Sequence, residues 1–313
     1  MPLSADLLVS ARHQPANLQG IWNARTDPSW ELKWTHHINA EMNYWPANSS
    51  NLRELVEPLM RMTEYLSITG AKAARNDLNA RGWVAYHNTD LFRQATVNSA
   101  AKYRMWPMGG AWVLDTLWDH WDYSRDRDFL ARLYTLMAAA CRFYLDSLAP
   151  HPRTGELVMN PSNSPENMQR SQISICAGPA IDGQLLRDLF ANSIAAAKLL
   201  GRDAALAAEI DRATAKLPPN RIGKAGQFQE WFDDWDMEVP EINHRHVNHL
   251  YTLFPSDQIS PQATPDLAAA RRSLEIPGDE ATGWGKVVID VPMRRGSRAR
   301  IRTERDWLRL LRS

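Results

Sequence analysis

The chain has 313 residues, enough for one large domain or about two ordinary ones. Hydrophobic residues make up 44% and charged residues 23%, which excludes a wholly disordered chain. Lys plus Arg and Asp plus Glu both number 36, so no global field draws the protein to nucleic acid or to an anionic lipid surface.

The first six residues, Met1-Pro-Leu-Ser-Ala-Asp6, lack a basic region followed by an apolar stretch, so no signal peptide is expected and localisation is left open. Residues 17–23 and 35–47 are dense in Asn, Trp and His. Helical periodicity is predicted over 52–74, where Leu52, Leu55, Leu59, Met62, Tyr65 and Leu66 recur on one face. The same spacing predicts helices over 109–123, 129–148, 182–200 and 204–217. Thr264-Pro-Asp reads as a helix start, with Thr264 as N-cap and Pro265 in the first turn. Strand-like alternation is scarce, and no apolar run approaches the ~20 residues of a membrane span. Helix, polar-aromatic loop, helix, repeated, predicts an all-α toroid of helix pairs with a site at one end, built from loops. Cys141 and Cys176 cannot make a disulfide framework. The 13 tryptophans stand out. Each indole N–H needs a partner when buried, so these side chains serve large helix contacts or stacking platforms for flat ligands such as sugar rings.

Four constellations could carry chemistry. In 35–47, Thr35, His37, Asn39 and Trp45 lie close together, and Asn offers both donor and acceptor to sugar hydroxyls or a positioned water. Turn and cap chemistry is the alternative there. In 82–90 and 106–112, His87, Asp90, Trp106 and Trp112 read as a polar floor with aromatic walls, and Gly109-Gly110 would let backbone approach a ligand closely. The alternative is a helix-start loop with its tryptophans in the core. In 160–167, Asn160 opens a Pro- and Asn-rich loop that carries Glu166 between Pro165 and Asn167. A carboxyl held there near Trp could have a raised pKa and act as a general acid. In 244–249, His244, His246 and His249 fit neither H-E-x-x-H nor a Cys/His finger, so no metal is expected. These imidazoles and Arg245 are expected to hydrogen-bond ligand hydroxyls. No phosphate-cradling glycine loop and no Gly-x-Ser-x-Gly occur, so no cofactor and no esterase-type nucleophile are expected.

Nine runs in this order, 17–23, 39–47, 82–90, 106–112, 164–167, 182–190, 226–231, 244–251 and 282–284, resemble the catalytic domain of glycoside hydrolase family 95. That family comprises inverting α-L-fucosidases and some α-L-galactosidases. The resemblance implies an (α/α)6 barrel, incomplete at its C-terminal end, and a partner that is an oligosaccharide or polysaccharide containing L-fucose or L-galactose. It implies Glu166 as the acid that protonates the glycosidic oxygen, with a base-activated water attacking the opposite face. The family positions that water with two asparagines spaced Asn-x-Asn. Here the second is Asn39, and the first position holds His37, whose imidazole is longer and offers one neutral donor. Two residues earlier, fucosidases commonly carry a histidine; Thr35 leaves room for a hydroxymethyl, which is associated with L-galactose.

Beyond Trp284 the chain departs from the family and turns arginine-rich through 294, 295, 298, 300, 302, 305, 309 and 312. The expected division is therefore a catalytic domain over 1–285, without the family's N-terminal β-sandwich, and a divergent tail over 286–313. A poorly ordered or non-native terminus is the expected reading of this tail, with a frameshift as its hypothesised origin and a nucleic-acid arm as the alternative. The base aspartate is expected in the lost region, where Asp290 is the late candidate. Losing a helix pair would uncover apolar faces and give a destabilised, aggregation-prone chain. A non-catalytic sugar-binding remnant is the alternative to an active hydrolase. A phosphorylase of the same toroid type would need a phosphate site that the sequence does not display.

Overall fold

The computed structural model describes residues 14–20, 24–97, 100–259 and 264–277. The expectations placed on 1–6, 21–23, 282–284, position 290 and the 286–313 tail lie outside them, as does the side chain of Thr264. The described chain is all-α in character. Its longer helices are α1 (Asn39–Ser49), α2 (Glu57–Leu78), α3 (Gly109–Ser124), α4 (Arg127–Ser147), α5 (Ala180–Leu200), α6 (Ala204–Thr214) and α7 (Thr264–Glu275). Extended structure is limited to two short antiparallel pairs, β1 (Trp34–Thr35) with β2 (Asn88–Thr89), and β3 (Leu148–Pro150) with β4 (Leu157–Met159).

Local chemistry sets the helix limits. The Asp126 carboxylate accepts from the N–H groups of Asp128 and Phe129 at 2.9 and 3.2 Å, capping the start of α4. Leu130, Leu133, Met137, Cys141 and Tyr144 then recur every three or four residues and are all buried. Gly201 in the left-handed region (φ 67°) ends α5. The predicted start at residue 52 gives way to a 3-10 turn, Arg53–Val56, because Pro58 is accommodated in the first turn of α2. The predicted end at 217 retreats to Thr214, ahead of Pro218-Pro219. Helix α1 was not expected as a helix. It carries Pro46 in its interior and has no apolar stripe, so periodicity cannot reveal it.

Helix α3 packs on α1, α2, α4 and α5, α4 packs on α5, and α5 packs on α6. The resulting core runs continuously from Ala16 to Tyr251, and each fully buried Leu or Phe in it, such as Leu133 and Phe143, contributes about 1.5–3 kcal/mol. A smaller cluster of Phe228, Leu250, Ile259, Ala269 and Ala270 holds α7. The close approach at Gly109-Gly110 is to protein, not to a ligand. A Cβ on Gly109 would lie 2.3 Å from the Tyr86 carbonyl oxygen, and the Gly110 N–H donates to the Ala85 carbonyl at 3.2 Å. The two glycines thus seat the start of α3 against the 83–87 segment and bring His87 beside the site. Cys141 and Cys176 are unlinked. Among the described residues no helix is long and apolar enough to cross a membrane.

Candidate active site

The site forms where four separate segments meet: the β1–α1 connection with His37, the β2 approach with His87, the 160–167 loop with Glu166, and the 244–249 loop. Their convergence depends on strand pairing. Thr35 pairs with Asn88 across β1 and β2, and the His36 N–H donates to the His87 carbonyl at 2.7 Å. This stacks the His37 and His87 rings with centroids 4.4 Å apart.

Glu166 sits at the centre and is buried, with 6% of its surface exposed. The loop that carries it is fastened on every side. Ser162 and Cys176 exchange backbone hydrogen bonds at 2.9 and 2.8 Å. The Asn163 amide donates to the carbonyls of Ala101 and Lys102, both at 3.0 Å. The Ser164 hydroxyl donates to Glu230 at 2.6 Å and accepts from the Asn248 amide at 2.8 Å. The Asn248 amide also donates to the Pro165 carbonyl. A carboxyl in a loop tied this way stays at one position, which general acid catalysis demands.

Three groups face that carboxyl. His87 Nε2 lies 3.5 Å from Oε1, and His246 Nε2 lies 3.7 Å from Oε2. The Arg245 guanidinium donates to Oε2. Of the three, the two histidines are buried whereas the Arg245 side chain is 46% exposed, so Arg245 marks the open side. His37 Nε2 faces His246 Nε2 at 3.4 Å. Burial pushes the His37 and His246 imidazoles well below the usual histidine range, with the nearby imidazoles and Arg245 adding to the effect, so both are neutral near pH 7. One ligand atom each from His37, Glu166 and His246 lies within 4.8 Å of the others, a grouping that spacing along the chain could not disclose.

The remaining sequence-predicted residues divide. His244 joins the cluster, its Nδ1 accepting from the His246 N–H at 3.2 Å. Asn39 opens α1 two residues after His37 and is half-buried. Trp106 and Trp112 do not line an open wall. They are 0% and 4% exposed, stand edge to face at 6.1 Å, and support His37 from below. In this structure both indoles pack against protein side chains. Trp45 packs on Phe254 at 4.8 Å, away from the imidazoles. Asp90 is engaged in its own turn, accepting from the N–H groups of Phe92 and Gln94 at 2.9 and 3.1 Å. Asn160 is exposed.

Three residues that the sequence did not single out complete the support. Glu230 accepts from Ser164 and, at 3.3 and 3.2 Å, from the Asn167 amide; His249 lies 3.6 Å away. Burial alone would raise its carboxyl, but His249, Ser164 and the electrostatic field of His244 bring it below the ordinary glutamate range. Asp182 accepts from the Trp106 indole at 3.0 Å, and burial pushes its carboxyl up to about 7. Glu41, inside α1, accepts from the Ile38 N–H at 2.9 Å, and burial pushes it up to about 8. The need of Trp106 for an acceptor was the one signal pointing to Asp182.

Comparison with known proteins supplies the family. The family model for the glycosyl hydrolase family 95 catalytic domain matches residues 7–306, running past residue 285 into the segment expected to diverge. The chain is 38% identical over 289 residues to "Alpha-L-fucosidase 2" of Arabidopsis thaliana, covering 89% of this chain and 34% of that protein. It is 30% identical over 296 residues to "Probable alpha-fucosidase A" of Aspergillus niger, covering 87% of this chain and 36% of that protein. The chain therefore spans about a third of the length of these curated relatives. A solved structure described as a kojibiose phosphorylase from human microbiome superposes with a TM-score of 0.64 over 96% of this chain and 42% of its own, at 9% identity, which bears on the helical toroid fold alone. Since the family model spans nearly all of it, and its helices pair as that toroid requires, the chain belongs to the glycosyl hydrolase family 95 catalytic domains.

Proposed function

We propose that this chain hydrolyses terminal α-L-fucosides, or α-L-galactosides, by a single displacement that inverts the anomeric centre. The observation that carries the reading is Glu166, a buried carboxyl fixed by its loop and approached from one open side, in a chain 38% identical to an α-L-fucosidase. The substrate would enter past Arg245 and displace its guanidinium from Oε2. Glu166 would then hand its proton to the departing glycosidic oxygen. Water for the opposite face would be held by Asn39 and by His37, whose neutral imidazole would accept its hydrogen bond and take its proton as the new carbon–oxygen bond forms. Thr35, His244 and His246 supply polar edges for ring hydroxyls. The tied loop and the neutral imidazole layer favour this reading over a non-catalytic remnant, because a carbohydrate-binding surface needs no buried carboxyl.

The test is hydrolysis of 4-nitrophenyl α-L-fucoside and α-L-galactoside alongside an α-L-fucosyl oligosaccharide. Glu166→Gln should cut turnover of the oligosaccharide by about 10²–10⁴-fold. The loss on the nitrophenyl glycosides should be smaller, since 4-nitrophenolate leaves with little protonation. Release of the β-anomer first, followed by NMR, establishes inversion. Equal losses on both leaving groups would remove Glu166 from the acid role.

A further inference from the structure

One arrangement in this site is not used by proton transfer to a sugar. His37 and His246, 209 positions apart, direct their Nε2 atoms at each other across 3.4 Å. Two neutral imidazoles so placed can share a single hydrogen bond at best, and at this distance a long one. His37 is 1% exposed, and among the described residues its Nδ1 has no hydrogen-bond partner and that long contact is the ring's one hydrogen bond. A buried polar ring satisfied this poorly marks a place where another group belongs.

The distances suit a specific one. Nitrogens bound to zinc at about 2.0–2.1 Å in a tetrahedron are separated by about 3.3–3.4 Å. The His37–His246 separation matches that edge, and the 3.7 Å from His246 Nε2 to Glu166 Oε2 is a few tenths longer. The donor set of two imidazoles and a carboxylate is one that zinc takes when it keeps a fourth position for water. The three side chains are carried by a helix entry and two tethered loops, so the ligands are held before any ion arrives.

We propose that His37, His246 and Glu166 form a zinc(II) site with a water in the fourth position. Arg245, half exposed and now donating to Glu166 Oε2, is the cation that zinc would displace. Zinc on Glu166 and a proton on the same oxygen exclude each other, so the metal form is a silenced form of the hydrolase. That last consequence rests on the acid assignment, whereas the metal site itself does not.

The experiment uses the full chain, free of any histidine tag and without glycoside, so its outcome is separate from that of the hydrolysis assay. Titration with cobalt(II) should give the strong visible bands of a four-coordinate ion, saturating at one equivalent and erased by one equivalent of zinc. His37→Asn and His246→Asn should each weaken binding by at least roughly tenfold, and Arg245→Met should tighten it. Proton-detected ¹⁵N spectra of the unaltered protein, which need no variant to fold, should show two imidazole Nε2 signals moving with zinc. The weak spectrum of six-coordinate aqueous cobalt, binding indifferent to both histidine substitutions in folded variants, or unmoved imidazole signals would each overturn the proposal.

Discussion

Two buried glutamates meet at one loop, Glu166 as a member of it and Glu230 as the acceptor of its Ser164 hydroxyl, and they are treated in opposite ways. Glu230 is held by fixed partners: it accepts from Ser164 at 2.6 Å and from the Asn167 amide at 3.3 and 3.2 Å, with His249 3.6 Å away. Glu166 meets one half-exposed cation and two imidazoles at 3.5 and 3.7 Å. The first arrangement locks a charge in place, and the second leaves a carboxyl free to change partners. Burial alone therefore does not identify a reacting group; what surrounds it does.

The contrast can be broken by exchanging each glutamate for its amide. Beside the large activity loss expected for Glu166→Gln, its thermal midpoint should change little. Glu230→Gln should do the reverse. It replaces a buried anion among fixed donors and leaves one of them unpaired, at about 1–3 kcal/mol. Calorimetry should show a midpoint lowered by several degrees, with residual turnover reduced through a loosened Glu166 loop. Matching effects from both substitutions would erase the distinction.

A second comparison sets these glutamates against carboxyls buried without a cation. Glu41 and Asp182 rise to about 8 and about 7 from ordinary values of 4.5 and 3.8, because burial disfavours their charged forms. The folded chain then holds protons that the unfolded chain has released, so their contribution is complete below about pH 4 and declines as pH climbs towards 8. Denaturant melts should show stability falling across that window, by at most about 1.4 kcal/mol per pH unit for each group. Glu41→Gln should flatten the slope. A slope unchanged in that variant would show that Glu41 ionises freely in the folded state.

The smallest expected effect sharpens the role of the tryptophans. Trp106→Phe keeps the apolar volume near His37 but removes the indole N–H that Asp182 accepts. The cost should be about 1–2 kcal/mol in denaturant melts, with KM for the glycoside nearly unchanged. A large rise in KM would instead return Trp106 to the substrate-binding role that sequence assigned it.

How much of this was legible beforehand depends on distance along the chain. Helices α2, α4 and α5 announce themselves by apolar residues every three or four positions, because one face must pack. Helix α1 does not, since Pro46 and a face shared between the site and the core disguise its period. The motifs singled out Glu166, His37, His87, Arg245 and His246, and the fold brings these five side chains together. The Ser164–Glu230 contact joins positions 66 apart, and the Trp106–Asp182 contact positions 76 apart. Such pairings are products of tertiary packing and leave no local trace. Asp90 and Trp45 stand in a turn and in a packing contact, which use the same residue types as a sugar subsite and so read alike in sequence.

The Asn163 side chain grips two carbonyls of the 101–104 helical turn and so couples that turn to the carboxyl three residues further on. Drift in the neighbouring segment is thereby transmitted to the Glu166 carboxyl, while Asn160 lies exposed outside the clasp. Diversification of glycan preference within such a scaffold has a natural hinge point there: the rim is free to evolve, and the chemistry stays moored.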